Sequence, residues 1–184
     1  MSSESSLRIL HKTSPKIFQE FLLKLEKNTL YNFNPFGKIN PSNVSSIVEK
    51  ELFRKDKIKF FSFCENSLIA YSYLTKFQKK SKKHNCILGI VIGDKWQGEG
   101  FGKKICKHMI NYAWQKNFEK VWLTVFDNNT SAICLYKSLG FEIEGIFMND
   151  EQYLKKQRHV ISMAIFNNKR NYVNKRKKIW QNIE

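Results

Sequence analysis

The sequence predicts a single α/β domain, and three observations carry that expectation. An apolar run (Ile87, Leu88, Ile90, Val91, Ile92) leads into the turn Gln97-Gly98-Glu99-Gly100-Phe101-Gly102, and a helical pattern (Ile105, Met109, Ile110, Ala113, Trp114) leaves it. Strand-like runs and helical periodicity interleave along the rest of the chain, the order being strand, two helices, three strands, helix, strand, helix, two strands. With 184 residues, fifteen Phe and four Trp, the chain is large enough for one proper core. The domain is expected over residues 7–167, between a loose Ser-rich tail at 1–6 and a basic extension at 168–184.

Residues 7–11 alternate weakly and read as a short first strand. Ser14-Pro15 has the form of an N-cap followed by proline at the first helical position, and Phe18, Phe21, Leu22 and Leu25 recur at helical spacing to about Lys27. Residues 31–37 carry aromatics without periodicity, bracketed by Pro35 and Gly37, and read as a loop. Asn40-Pro41-Ser42-Asn43 opens a second helix with Val44, Ile47, Val48, Glu51 and Leu52 on one side. Residues 59–64 and 68–77 are β-rich and joined by Glu65-Asn66-Ser67 as a hairpin. The lysine cluster Lys79-Lys80-Ser81-Lys82-Lys83 reads as a solvated turn before the central strand. Beyond the glycine turn and its helix come a strand at 121–126, a helix opened by Asn129, and two last strands at 141–147 and 159–166. A polar, Lys-rich connection is expected between those two, at 148–158. In the extension, Tyr172, Val173, Ile179, Trp180 and Ile183 fall at helical spacings.

The glycine turn carries the chemistry. The first N–H groups of a helix have no intrahelical partner and sit at the positive end of its dipole, so a strand-to-helix turn of this kind holds an anion such as phosphate. Glycines at 98, 100 and 102 keep Cβ atoms out of the way of a pyrophosphate. Neither common nucleotide signature is present: Lys103 stands where a dinucleotide fingerprint needs a third glycine, and Gly102-Lys103-Lys104 lacks the Ser/Thr of a P-loop.

The motif resembles instead the acyl-CoA-binding signature of the GCN5-related N-acetyltransferases (GNAT), Gln/Arg-x-x-Gly-x-Gly/Ala, met by Gln97, Gly100 and Gly102. The family's second signature follows as Asn129-x-x-Ala132-x-x-Leu135-Tyr136-x-x-x-Gly140-Phe141. The resemblance is sharp over residues 87–145, and it is similar in feel to the branch that acetylates ribosomal-protein N-termini and small amines. It implies a mixed, twisted sheet of about six to seven strands with splayed central strands and about four flanking helices. It also implies acetyl-CoA as acyl donor and a protein N-terminus or small-molecule amine as acceptor. The roles it implies are pantetheine binding by the backbone of Ile90, Val91 and Ile92, and pyrophosphate binding by Gln97, Gly98, Glu99, Gly100, Phe101, Gly102 and Lys103. Asn129 would start its helix and meet pantetheine or acceptor, and Tyr136 would be the general acid for the CoA sulfur.

The base is open among Glu142, Glu144, Asp127, His84 and a water chain. The loop at 31–37 either lines the acceptor site or packs its aromatics on the sheet edge. The last hairpin carries Lys155-Lys156-Gln157-Arg158-His159 where that branch often has a glycine turn and an acidic residue, which leaves the acceptor unassigned.

Composition sets the remaining bounds. A formal charge of +16, in a chain rich in Lys, Asn, Ile and Phe together, reads as compositional drift plus attraction for the charged CoA, ahead of a ribosome or nucleic-acid partner, and it opposes polycationic acceptors such as polyamines. The rival reading of the same charge is a non-catalytic module of this fold that binds nucleotide or RNA through its basic surface. Cys64, Cys86, Cys106 and Cys134 form no C-x-x-C pair and read as reduced core cysteines, with no metal site implied. Without a membrane-length apolar run or a signal-like start, the expected compartment is the cytoplasm.

Overall fold

The computed structural model of the protein describes residues 6–33, 35–153 and 156–167. The helical spacing of 168–184 and most of the Ser-rich tail lie outside the described residues. Seven strands form one sheet: β1 (Leu7–Leu10), β2 (Lys57–Cys64), β3 (Ser67–Lys76), β4 (Asn85–Ile92), β5 (Lys120–Phe126), β6 (Glu142–Tyr153) and β7 (Lys156–Phe166). Their spatial order is β1-β2-β3-β4-β5-β7-β6. Every neighbouring pair is antiparallel except β4 with β5, so the sheet is mixed.

Five helices accompany it among the described residues: α1 (Pro15–Leu23), α2 (Lys27–Asn32), α3 (Val44–Phe53), α4 (Phe101–Gln115) and α5 (Thr130–Ser138). The Ser14 hydroxyl accepts the Ile17 N–H at 3.3 Å and Pro15 takes the first turn, as the sequence signature requires. The alternation of β2 and β3, shifted once at Ser62/Phe63, divides the core in two. Phe61, Phe63 and Tyr71 meet Phe18 and Leu22 of α1 and Val48 of α3 on one face. Phe60, Leu74, Leu88 and Leu123 meet Ile105, Met109 and Ala113 of α4 on the other, where Tyr136 of α5 and Phe141 also pack.

Three expectations are corrected here. The first helix stops at Leu23, and the chain restarts as the six-residue α2, none of whose residues is buried. Apolar periodicity could not reveal it, because its stability is supplied from elsewhere: the Asp94 carboxylate accepts the Glu26 N–H at 3.0 Å at its N-terminus. Of the segment 148–158, residues 148–153 and 156–158 belong to β6 and β7, with Glu151 opposite Arg158 and Gln152 opposite Gln157. Residues 146–152 are exposed on both faces, so they show no alternation to read. Cys134 lies exposed on α5, whereas Cys64, Cys86 and Cys106 are buried as expected. Among the described residues, no helix is long and apolar enough to cross a membrane.

Beneath α3 lies a buried ion pair. Lys57 Nζ donates to Glu51 Oε1 at 2.7 Å, the two side chains being only 4% and 3% exposed. The same Glu51 oxygen accepts the Tyr71 hydroxyl, and the Lys57 ammonium stands 3.8 Å over the Tyr73 ring centroid. Burial holds the Lys57 pKa below its usual value, opposed by Glu51. Removing one partner strands a buried charge. Glu51→Leu should therefore cost roughly 3–5 kcal/mol in denaturant unfolding, and adding Lys57→Met should recover at least half of that loss.

Candidate functional site

A cleft of about 760 Å³ opens where the two parallel strands part. β4 and β5 pair only at Asn85–Lys120, Cys86–Val121 and Ile87–Trp122, while β4 stays on β3 as far as Ile92. The Gly93 N–H donates to Ile69 O at 2.8 Å and so fixes the phase of the β3–β4 ladder. By the alternation of antiparallel pairing, the peptide groups of Leu88, Ile90 and Ile92 face the parted side, and those of Gly89 and Val91 face β3. Val91, expected to present its backbone, instead spends it on the pairing with Tyr71, and its side chain is buried under α1 and α3.

The glycine turn closes one end of this cleft. Gly98 and Gly100 hold φ of +82° and +78°, a region that costs any L side chain strain. Gly102 is needed for a different reason: a Cβ there would come within 3.1 Å of Leu135 Cδ2 and 3.2 Å of Ile92 Cδ1, so α4 could not seat against α5 and β4. The first capping contact of α4 is Lys104 N–H to Gly100 O at 3.3 Å. The N–H groups of Gly98, Glu99, Gly100, Phe101, Gly102 and Lys103 have no acceptor among the described residues. Six consecutive free amides at the positive end of a 15-residue helix make a seat for an anion. The side chains play smaller parts than the motif suggests. Glu99 is exposed, and the Phe101 ring turns inward against Trp96 at 5.8 Å. Gln97 Nε2 donates to Ile92 O and to Thr29 Oγ1, both at 3.0 Å, and thereby braces the turn. Lys103 is the one cation that lines the cleft among the described residues.

On the far wall, Asn129 caps α5 by accepting the Ala132 N–H at 3.3 Å, and its Oδ1 also takes the Ser131 hydroxyl at 3.2 Å. Tyr136, one turn further, packs on Phe141 with ring centroids 5.6 Å apart and lines the cleft. Burial raises its pKa well above that of an ordinary phenol, and Cys106 and Tyr73 add to the rise. Its hydroxyl is therefore a donor at neutral pH. Cys86 and Cys106 are pushed up to about 12 by burial, which removes them as thiolate nucleophiles.

The wall formed by α2, beside the glycine turn, was less visible in sequence. Asn28, Thr29, Asn32, Phe33 and Pro35 line the cleft there, so part of the loop expected at 31–37 does reach the site, with α2 in front of it. Asp94 fixes α2 by accepting from Glu26 N and Thr29 Oγ1. The Arg158 guanidinium lies 3.6 Å from the Tyr31 ring centroid and 3.3 Å from that of Phe126, pinning α2 to the opposite half of the sheet. None of the candidate bases, Glu142, Glu144, Asp127 or His84, lines the cleft, and Glu144 holds Lys120 at 2.7 Å. Glu151, at the end of β6, is the one carboxylate that does so among the described residues. Tyr73 and Gly89 also line it, and a lone glycine within an apolar strand was the signal that could have drawn attention there.

Comparison with known proteins agrees with this geometry. The family described as Acetyltransferase (GNAT) family matches residues 27–141. The spermidine N(1)-acetyltransferase of Escherichia coli (strain K12) is 25% identical over 124 residues, 67% of this chain and 66% of its own length. The ribosomal protein bS18-alanine N-acetyltransferase of the same strain is 29% identical over 79 residues, covering 43% of this chain and 53% of that protein. The chain thus spans just under two thirds of the first relative and about half of the second. In fold, the crystal structure of spermidine N-acetyltransferase from Vibrio cholerae in complex with CoA and spermine superposes with a TM-score of 0.75. That likeness covers 89% of this chain and 96% of the other at 19% identity.

The hold of Asp94 on α2 is open to test. Asp94→Ala removes a helix cap and the Thr29 contact together, on the order of 1 kcal/mol for the cap alone. Hydrogen exchange should show the amides of α2 opening several-fold faster, with those of α4 unchanged.

Proposed function

We propose that this chain, which belongs to the acetyltransferase (GNAT) family, is an acetyl-CoA-dependent N-acetyltransferase acting on a primary amine. The observation that carries the proposal is that the turn heading α4, through Gly98, Gly100, Gly102 and Lys103, and Tyr136 line one cleft at the parting of β4 and β5. The residues fit the donor: glycine-borne amides suit a diphosphate, and the narrow gap between the strands suits an extended chain. Acetyl-CoA, as acyl donor substrate, supplies the thioester.

In this reading the amides of residues 98–103 hold the pyrophosphate without a dedicated cation, and Lys103 adds charge at the rim. The cleft-facing peptide groups of Ile90 and Ile92 pair with the extended arm, as strand edges pair with any added strand. The Ile92 carbonyl is already engaged by Gln97, so its N–H is the group left to offer. The acceptor nitrogen attacks the thioester carbonyl, the carbon–sulfur bond breaks, and the proton that the nitrogen sheds passes through water to solvent, from which the Tyr136 phenol is reprotonated. Tyr136 donates to the departing sulfur. Its raised pKa keeps the proton in place at neutral pH and also makes the phenol a weaker acid, so the proton moves only as charge builds on sulfur. Asn129 serves chiefly to start α5 and so to place Tyr136.

For the acceptor, one carboxylate lines the cleft among the described residues, Glu151, and it lies 3.9 Å from Arg158. A polyamine carries several cationic centres, and this wall offers them little. A protein N-terminus or a small monoamine fits better. A panel of amines and N-terminal peptides, read by thiol release from acetyl-CoA, tests the activity and names the acceptor together. Release with none of them would refute it.

Two variants separate chemistry from binding. Tyr136→Phe should lower turnover by about 10²-fold while CoA still protects the chain in a thermal-shift assay; equal loss of both would make the residue structural. Gly100→Val places a β-branched side chain at φ +78° beside the free amides. It should abolish that protection while the far-UV spectrum keeps its folded form, and retained protection would remove the diphosphate from this turn.

A further inference from the structure

Tyr73 is a polar side chain that lines the cleft and belongs to neither motif. It lies opposite Gly89 in the β3–β4 ladder, and its ring leans across that glycine. A Cβ on residue 89 would fall 2.3 Å from Tyr73 Cζ and 2.5 Å from its hydroxyl oxygen. No real Cβ tolerates such a contact. The absence of a side chain at 89 is therefore what lets the phenol reach over β4 to the cleft.

The ring is held there from behind. Lys57 Nζ stands 3.8 Å from its centroid, and Lys57 is itself fixed by Glu51 at 2.7 Å. The neighbouring phenol, Tyr71, spends its hydroxyl on Glu51, but that of Tyr73 makes no hydrogen bond to the described residues. Burial, with Glu51 adding, pushes its pKa up to about 12, so the group is neutral and can both accept and donate. The residue is half-buried, and a hydroxyl at a cleft with no partner among the described residues is free to take an external one.

Position selects that partner. Gly89 and Tyr73 belong to the face of the sheet covered by α1 and α3, where Phe33 and Phe36 pack, and Tyr136 belongs to the face covered by α4. The two phenols thus flank the parting of the strands from opposite sides, close enough for Tyr73 to contribute to the Tyr136 pKa. If Tyr136 serves the leaving group, the group on the other side meets the incoming one.

We propose that Tyr73 is a second catalytic residue, whose hydroxyl oxygen accepts a hydrogen bond from the acceptor amine and turns its lone pair toward the acyl carbon, and that Gly89 is the opening through which it does so. The inference rests on the acetyltransferase reading above. It assigns orientation and not proton removal, because a phenol of this pKa is a poor base at neutral pH.

The test uses the full chain, acetyl-CoA and the best amine from the panel. Tyr73→Phe keeps the ring and its contact with Lys57, and should lower kcat/KM for the amine by about tenfold or more, while CoA protection in thermal shift and denaturant stability stay at wild-type values. Gly89→Ala should produce a loss of similar size by displacing the phenol, and the double variant should be no worse than the poorer single one. Wild-type kcat/KM in Tyr73→Phe would overturn the proposal alone, as would additive losses in the double variant. A fall in CoA protection in Tyr73→Phe would overturn it in favour of a structural role. Failure of the wild-type chain itself to release thiol with any amine would overturn the acetyltransferase reading, and this inference with it.

Discussion

The structure depends on one interruption of hydrogen bonding. After Ile87, β4 loses β5 as a neighbour, and a stretch of extended backbone stands inside the molecule with one side unpaired. Unpaired interior peptide groups are costly unless something else meets them. The fold tolerates the gap because β3 pairs with β4 along its whole length and β7 pairs with β5 along its whole length, so each half of the sheet is complete without the other. The gap is then a fixed feature of the topology and not a local fluctuation. Its walls carry the helix end, the two phenols and the strand amides toward one volume.

The supports of that volume come from far along the chain. Asp94 ties α2 to the glycine turn across a separation of 68 residues to Glu26, and Gln97 ties the turn to Thr29 across the same 68. Arg158 fastens α2 to the β5 side between two rings. The buried Glu51–Lys57 pair is not the most economical way to hold a helix on a sheet, since apolar packing is often at least as stable. Its geometry gives it a second use, because the ammonium it immobilises lies against the Tyr73 ring and limits where that ring can go.

Much of this was legible in the sequence, and what was not has a physical cause. The glycine turn announced itself because Gly98 and Gly100 occupy backbone conformations that other residues avoid, and Gly102 a space that a Cβ would fill. The helical periods of α1, α3 and α4 and the caps Ser14 and Asn129 are local codes, and they read correctly. α2 was hidden because its partners are distant residues and none of its own is buried. The outer halves of β6 and β7 were hidden because residues 146–152 are exposed on both faces, and a strand with no buried face shows no alternation. The exclusion of the Val91 peptide from the cleft depends on the phase of a ladder, which no single-strand pattern contains. Tyr73 looked like one aromatic among many in a β-rich run. Only its cross-strand pairing with Gly89 distinguishes it.

The charge distribution links the cleft to the rest of the surface. Among the described residues, Lys103 is the one cation that lines the cleft and Glu151 the one carboxylate. The net charge of +16 is therefore carried elsewhere, in part by the exposed turn at Lys80–Lys82, which precedes β4 at the end of the strand away from the glycine turn. Long-range field and local grip are thus separate devices. The field raises the encounter rate of an anion and is screened over about 8–10 Å at physiological salt. In the proposed reading neutral amides, fixed in direction by the helix, do the holding, and salt weakens them far less. A cleft built in this way can take a highly charged donor from solution without filling its own interior with lysines, and a neutral amine needs just such an uncharged interior if it is to keep its lone pair free.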